Sequence, residues 1–459
     1  MNFIKTVIAR RNDEAIPNCA GRSCIGDLHI GDCFVPRNDV RFAVLAMVLL
    51  LIFCTHSYAQ STYANNVYQP YIKSVEFYKA GKPGSFPIIT LNSSEKVLLA
   101  FDDLRGATQN YSYTIEHCDD NWNSYNISTT EYLQNYTDDR LTDYSYSTNT
   151  AQKYTHYQLR LPNENIAPKI PGNYILKVYD DGDVSKLILT RKLYVVSPKV
   201  SISAEIVLSN DPSARQTNQK INFTVDYGNL RVQNTSADIR TFIMQNARTE
   251  TMILSTQPAN IRGTQLIFND VNTNDFPGGN EFRRFDTRSL KLNSERILRI
   301  TRDTSNKIVL LTDPDSNLPN YSFQFDLNGN FYILNQDGTD PRIDADYSHV
   351  LFSLSTKKSP SEGNVYIVGQ FNDYKLDDNS KLNFDSVNGK FFTNLFLKQG
   401  VYDYAYVWVD KSTGKADDTA LEGTHFETEN DYQVLVYYRP PGARWVELVG
   451  YQLLNTAKK

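Results

Sequence analysis

The chain has 459 residues, a formal charge of −5, and 30 Tyr and 23 Phe. That length accommodates about three domains of roughly 100–200 residues each, and the small net charge, with no basic stripe interleaved with aromatics, excludes nucleic acid as a partner class. Abundant Tyr, Phe, Thr, Ser and Asn, with no long stretch carrying apolar residues at i, i+3, i+4 and i+7, predict an all-β chain.

Residues 1–39 are mixed in charge, and CIGDLHIGDC lies between two copies of Arg-Asn-Asp, at 11–13 and 37–39. They read as an extension from a start codon placed too early and are set apart from the fold. Residues 40–59 read as a signal peptide: Arg41 precedes the apolar run 42–53, and Ser57-Tyr58-Ala59 puts small residues at −3 and −1 of a cut before Gln60. The apolar run, about 12 residues, is shorter than the roughly 20 a spanning helix needs. Bulky Phe53 ahead of Cys54 speaks against lipid attachment. Cleavage would leave Cys118 without an internal disulfide partner, reading as a small buried hydrophobe and not a nucleophile.

Residues 65–197 read as a first β-sandwich. Runs at 96–101, 111–117, 154–161, 173–179 and 187–196 alternate polar and apolar residues between turn clusters. Tyr174, Leu176 and Val178 oppose Ile175, Lys177 and Tyr179, predicting a strand buried on one face only. The exit Asp180-Asp181-Gly182-Asp183 is turn chemistry and lacks the twelve-residue loop with terminal Glu of a calcium site.

A second β domain is expected over 198–357, beyond the joint Ser197-Pro198-Lys199. Its predicted strands are 200–207, 221–227, 238–245, 265–268 and 308–311, with a hairpin pairing 321–327 with 331–334 across an Asn-Gly-Asn turn. Within it the stretch 274–290, NDFPGGNEFRRFDTRSL, is the least ordinary. Pro277, Gly278, Gly279 and Asn280 reverse the chain. The following strand interleaves Glu281, Arg283, Arg284, Asp286 and Arg288 with Phe282, Phe285 and Leu290. Buried, these charges demand partners: either they form an ion network at a domain joint, or Arg283, Arg284 and Arg288 face a binding partner.

After a predicted linker at 359–363, residues 358–457 read as a third sandwich. VYIVGQFNDYK and YDYAYVWVD resemble the early-set modules that bind starch or glycogen, through Gly369, Phe371, Asn372, Tyr404, Tyr406, Trp408 and Asp410, with Tyr374 where those modules carry Trp. Tyr402, Tyr404, Tyr406 and Trp408 share one strand face, which is core, a partner contact or a glycan platform. Arg439 and Arg444 flank a Pro-Pro-Gly reversal, either a rigid hairpin tip or an exposed basic knob.

The motifs of common catalysis are missing. No G-x-S-x-G elbow, phosphate loop or Cys/His cluster is present, and His117, His156, His349 and His425 form no close ligand pair. The expectation is a non-enzyme without metal or cofactor. Glu422, Glu427 and Glu429 keep open a hydrolase whose carboxylates meet only in three dimensions.

FPGGNEFRRFD, together with FDDL at 101–104, EHCDDNW at 116–122, DDRLTDY at 138–144, YTHYQLRLPNEN at 154–165, GNYILKVYDDGD at 172–183 and the segment 422–451, resembles the plug protein family of the type IX secretion system. The resemblance spans nearly all of the chain after residue 65. It implies a periplasmic accessory protein at the inner face of the outer membrane, docking on the translocon barrel and obstructing its pore. Arg283, Arg284, Arg288, Arg439 and Arg444, and the aromatic strand, are then candidate contact residues. The alternative is a glycan-binding periplasmic or surface protein using the last sandwich.

Overall fold

The structure, a computed structural model, describes residues 63–457; the extension and signal peptide expected before Gln60 lie outside the described residues. As the composition predicts, the architecture is all-β: three sandwiches, with the helices among the described residues limited to single turns such as Thr419–Glu422. No helix of the described residues is long and apolar enough to cross a membrane.

In the first sandwich, Tyr111–Cys118, Gly172–Asp180 and Leu187–Val196 form the centre of one sheet, and Ile72–Lys79, Val97–Asp103 and Thr155–Leu161 that of the other. Strand alternation turns Tyr174, Leu176 and Val178 onto Leu99, Phe101 and Tyr157 of the facing sheet. The opposite face of Gly172–Asp180 is not solvated, which corrects the expectation of a half-buried strand. Ile175 packs with Trp122, Tyr194, Phe242, Leu435 and Tyr437, because the middle sandwich covers this face. Lys177 tolerates burial by pairing with Glu116 and lying over the Tyr63 ring.

The middle sandwich is discontinuous in sequence. One sheet contains Ser201–Leu208, Asn218–Asp226 and Gln265–Phe268; the other pairs Ile239–Gln245 with Asp431–Tyr438, and the latter with Glu447–Asn455. Its core joins Phe223 and Leu266 to Ile243, Val434 and Val436. The expected linear boundary between 357 and 358 is therefore crossed: the last thirty or so residues belong with 201–277.

Residues 281–422 form a third sandwich inserted into the second. Its long strand Gly400–Asp410 pairs along its length with Arg283–Asp286, Phe331–Ile333 and Gly363–Val368, facing a sheet built on Asn306–Leu310, Tyr347–Ser355 and Lys390–Lys398. The stretch 359–363, expected as a linker between domains, lies inside this sandwich, where it carries the chain from Tyr347–Ser355 to Gly363–Val368. The expected hairpin of 321–327 with 331–334 does not form. Phe331–Ile333 pairs instead with the long strand, and 321–327 has no strand partner.

Candidate functional site

The FPGGN stretch is where the chain passes from the middle sandwich into the inserted one, running through without the reversal expected there, and the segment around His425 is where it returns. The two crossings are bonded to each other. The Gly279 carbonyl accepts from the His425 amide at 2.9 Å and from Thr428 Oγ1 at 2.8 Å, while Asn280 Nδ2 donates to the Glu422 carbonyl at 2.8 Å. Asn430 Nδ2 donates to the Gly278 carbonyl at 2.8 Å and to Gln219 Oε1 at 3.0 Å, tying the crossing to the middle sandwich. Two distant signature blocks of the sequence are thus the halves of one joint. Glycine at 278 follows from this approach: a Cβ there would lie 2.0 Å from the His425 carbonyl oxygen.

Just beyond the joint, Arg283 is buried. Its Nε lies 3.0 Å from both Glu422 oxygens, and its terminal nitrogens reach the Pro314 carbonyl at 2.8 Å and Asp313 at 3.4 Å. Asp313 also accepts from the Tyr404 and Tyr406 hydroxyls, each at 2.9 Å. Despite burial, the carboxylates of Glu422 and Asp313 hold the Arg283 pKa above its ordinary value. Arg283 is therefore an internal clamp and not a contact residue, because leaving such a charge unpaired inside the protein is far costlier than pairing it. The same pairing takes Glu422 out of any acid–base couple with Glu427 and Glu429.

The aromatic strand is core as well, which corrects the candidate contact face. Tyr402, Tyr404, Tyr406 and Trp408 are each at most 5% exposed. Tyr402 is stacked between Phe285 and Phe331, at centroid distances of 5.2 and 5.4 Å. Tyr374, where the starch-binding modules carry Trp, packs against Phe282 and beneath the Arg248 guanidinium of the middle sandwich. No stacking platform for a sugar remains on this strand, since both its faces are covered.

Arg284 and Arg288 do reach the surface, which the alternation of the strand predicts once Arg283 and Phe285 point inward. With Arg296 they line a groove of about 960 Å³ along the free edge of Arg283–Asp286. Arg288 is held bidentate by Asp286, with a closest contact of 2.6 Å. Arg284 has Asp403 at 3.5 Å, yet burial and the neighbouring Asp326 push the Asp403 pKa up to about 8. Glu281 is pushed up to about 7, chiefly by burial. For such acids the folded chain holds a proton that the unfolded chain has released, so their stabilisation is complete below about pH 4 and is lost as pH rises to about 8. Asp403→Asn, which keeps an acceptor for the Leu327 and Gly329 amides, should flatten the fall in urea midpoint between pH 5 and pH 8. An unchanged slope would show that Asp403 is ionised throughout.

Arg439 and Arg444 are exposed near the tip of the last hairpin, and Arg444 pairs with Glu131 of the first sandwich. Where the first and inserted sandwiches meet, buried Asp102 accepts from His156 Nδ1 at 2.6 Å and from Tyr347 and Lys398, both at 2.7 Å. Lys398 is 1% exposed, so this cluster acts as a polar lock between the two bodies. Sequence reasoning missed it because its members lie far apart in the chain; a lone Lys before the Gln399-Gly400 turn carries no local signal. Cys118 is buried, and burial pushes its thiol up to about 12, leaving it inert. Among the described residues no group of three or more His, Cys, Asp or Glu side chains is placed to hold a metal ion.

Comparison with known proteins now adds a family. The model of the type 9 secretion system plug protein first domain matches residues 72–197, the first sandwich. No curated protein matches the chain. Among solved structures, the crystal structure of a hypothetical protein from Parabacteroides merdae is 30% identical, covers 86% of this chain and 100% of its own, and superposes with a TM-score of 0.82. The Parabacteroides merdae protein shares the fold along its full length, and the plug model, matching the sandwich that carries FDDL, EHCDDNW and GNYILKVYDDGD, puts the chain, through its first domain, in the type 9 secretion system plug protein family.

Proposed function

We propose that this protein is a periplasmic plug subunit that docks on the inner face of the outer-membrane translocon of type 9 secretion and obstructs its pore. The observation that carries the reading is the match of the plug model to the first sandwich; the family is one of non-catalytic secretion components, and no enzyme family is indicated. The build of the protein supports the mechanical role. Apolar packing fuses the first and middle sandwiches, and a double crossing with a buried ion network mounts the inserted one. A wide barrel lumen leaks if left open, and a body stiffened by its core can close it mechanically. Arg439 and Arg444, on the exposed hairpin, remain candidate contacts.

The test is affinity purification of a C-terminally tagged copy from gently solubilised envelope, with mass spectrometry of what accompanies it. Recovery of a large outer-membrane barrel in stoichiometric amount is expected, and cells lacking the protein should leak a periplasmic reporter. Recovery of the tagged protein alone, from the soluble fraction, would overturn the reading.

A further inference from the structure

Residues 319–326, Pro-Asn-Tyr-Ser-Phe-Gln-Phe-Asp, combine three properties that a surface loop does not ordinarily combine. Their main chain makes no hydrogen bond to any described residue. Their sequence alternates as a strand does, and two of the outward side chains are large and apolar: Phe323 is 62% and Phe325 69% exposed. Yet the segment is anchored at both ends. Tyr321 donates to Glu281; Asp326 accepts from the Phe282 amide, and the next amide, Leu327, donates to Asp403. An extended chain held open in this way presents a row of unused donors and acceptors, the template on which a further strand is added.

The surroundings indicate what would fit. Phe325 forms one wall of the groove, and the free edge of Arg283–Asp286 forms the other; its arginines are interspersed with Asp286, Glu295 and Asp313. The Arg284 guanidinium lies 5.0 Å over the Phe325 ring, and its Nε has no hydrogen-bond partner. Asp403 lies behind it at 3.5 Å without a hydrogen bond between them, whereas Arg288 and Arg296 in the same groove are each held by a carboxylate, of Asp286 and Asp313. A ligand for this groove is therefore extended, able to cover two aromatic rings, and able to bring a carboxylate to Arg284.

We infer that residues 322–326 are the strand on which the translocon docks: an extended segment carrying a carboxylate, at the periplasmic rim of the barrel, pairs its main chain with them, buries Phe323 and Phe325, and sets that carboxylate against Arg284. The inference rests on the plug reading and adds the surface and the partner chemistry to it. Fixed anchors lower the ordering cost of such a contact, and the exposed aromatics supply its centre.

The experiment places a photo-crosslinking phenylalanine analogue at position 323, at 325, and, as control, at Val387, a hairpin tip that is 90% exposed. Tagged full-length protein is crosslinked in cells and then purified. Crosslinks to the barrel from 323 and 325 but not from 387 are expected. The double variant Phe323→Ser/Phe325→Ser should recover roughly tenfold less barrel or worse, as should Arg284→Glu, with the thermal midpoint of the Ser variant unchanged because both rings are exposed. If the barrel is recovered with wild-type protein but 323 and 325 give no crosslink and the Ser variant binds normally, the docking strand is wrong and the plug reading stands. If no barrel is recovered even with wild-type protein, both fall.

Discussion

Arg283→Ala should destabilise the protein by about 3–5 kcal/mol, the usual loss when one partner of a buried ion pair is removed. The size follows from what is left behind. Glu422 would keep the Tyr406 amide at 2.7 Å but lose the guanidinium that neutralises it, and Asp313, 2% exposed, would keep only Arg296 among its cations. Lysine should not rescue, because a single ammonium cannot reproduce the fork that spans Glu422, Asp313 and the Pro314 carbonyl. Arg283→Met with Glu422→Gln should recover part of the loss by removing both charges. Urea denaturation of the three variants decides the matter: a single variant within about 0.5 kcal/mol of wild type, the range of ordinary surface changes, would mean that the network is not a clamp.

Gly278→Ala is the second large expected effect. The added methyl meets two carbonyl oxygens, of His425 at 2.0 Å and of Thr217 at 3.0 Å, and both belong to main chain that cannot rotate aside. The two crossings must therefore move apart, at a cost of about 3 kcal/mol or more, the upper end for overpacking. Gly279→Ala is the matched control: its Cβ meets nothing, and only its φ of 66° is unfavourable, worth about 1–2 kcal/mol. Limited proteolysis should cut the Gly278 variant near 278–281 or 423–428 well before it cuts the Gly279 variant. Equal stability and equal cleavage would show that the contact between the crossings is dispensable.

Local patterns in the sequence carried what local physics determines. Alternation located the five runs named in the first sandwich, whereas the reversal expected at Pro277-Gly278-Gly279-Asn280 is not formed: the chain runs through these residues without turn or bend, as a crossing between two sandwiches. What the patterns missed depends on residues far away. Nothing near Asp431 says that this strand pairs with Ile239–Gln245, so the insertion was invisible and a straight run of three domains was the natural reading. The aromatic strand was ambiguous because a strand covered on both faces and one exposing a platform carry the same residues. The arginines divided for a similar reason: alternation says that Arg283 and Arg284 point to opposite sides, and only Glu422, 139 positions on, decides which side is inside. At 321–327 the pattern was that of a strand, and the partner was absent.

The discontinuity of the middle sandwich also bears on how the protein comes to be folded. A chain is made from its N-terminus, and the strand Ile239–Gln245 has only the short Ile253–Ser255 beside it until Asp431–Tyr438 arrives. Until then it presents an open edge containing Phe242, Ile243 and Met244, the kind of edge that recruits other chains. The first and inserted sandwiches have all their strands in hand earlier, so the middle one closes last, around a neighbour already built. A chain cut short by even its final two strands would lack half a sheet at its centre, and aggregation, more than loss of a terminal appendage, would be its fate.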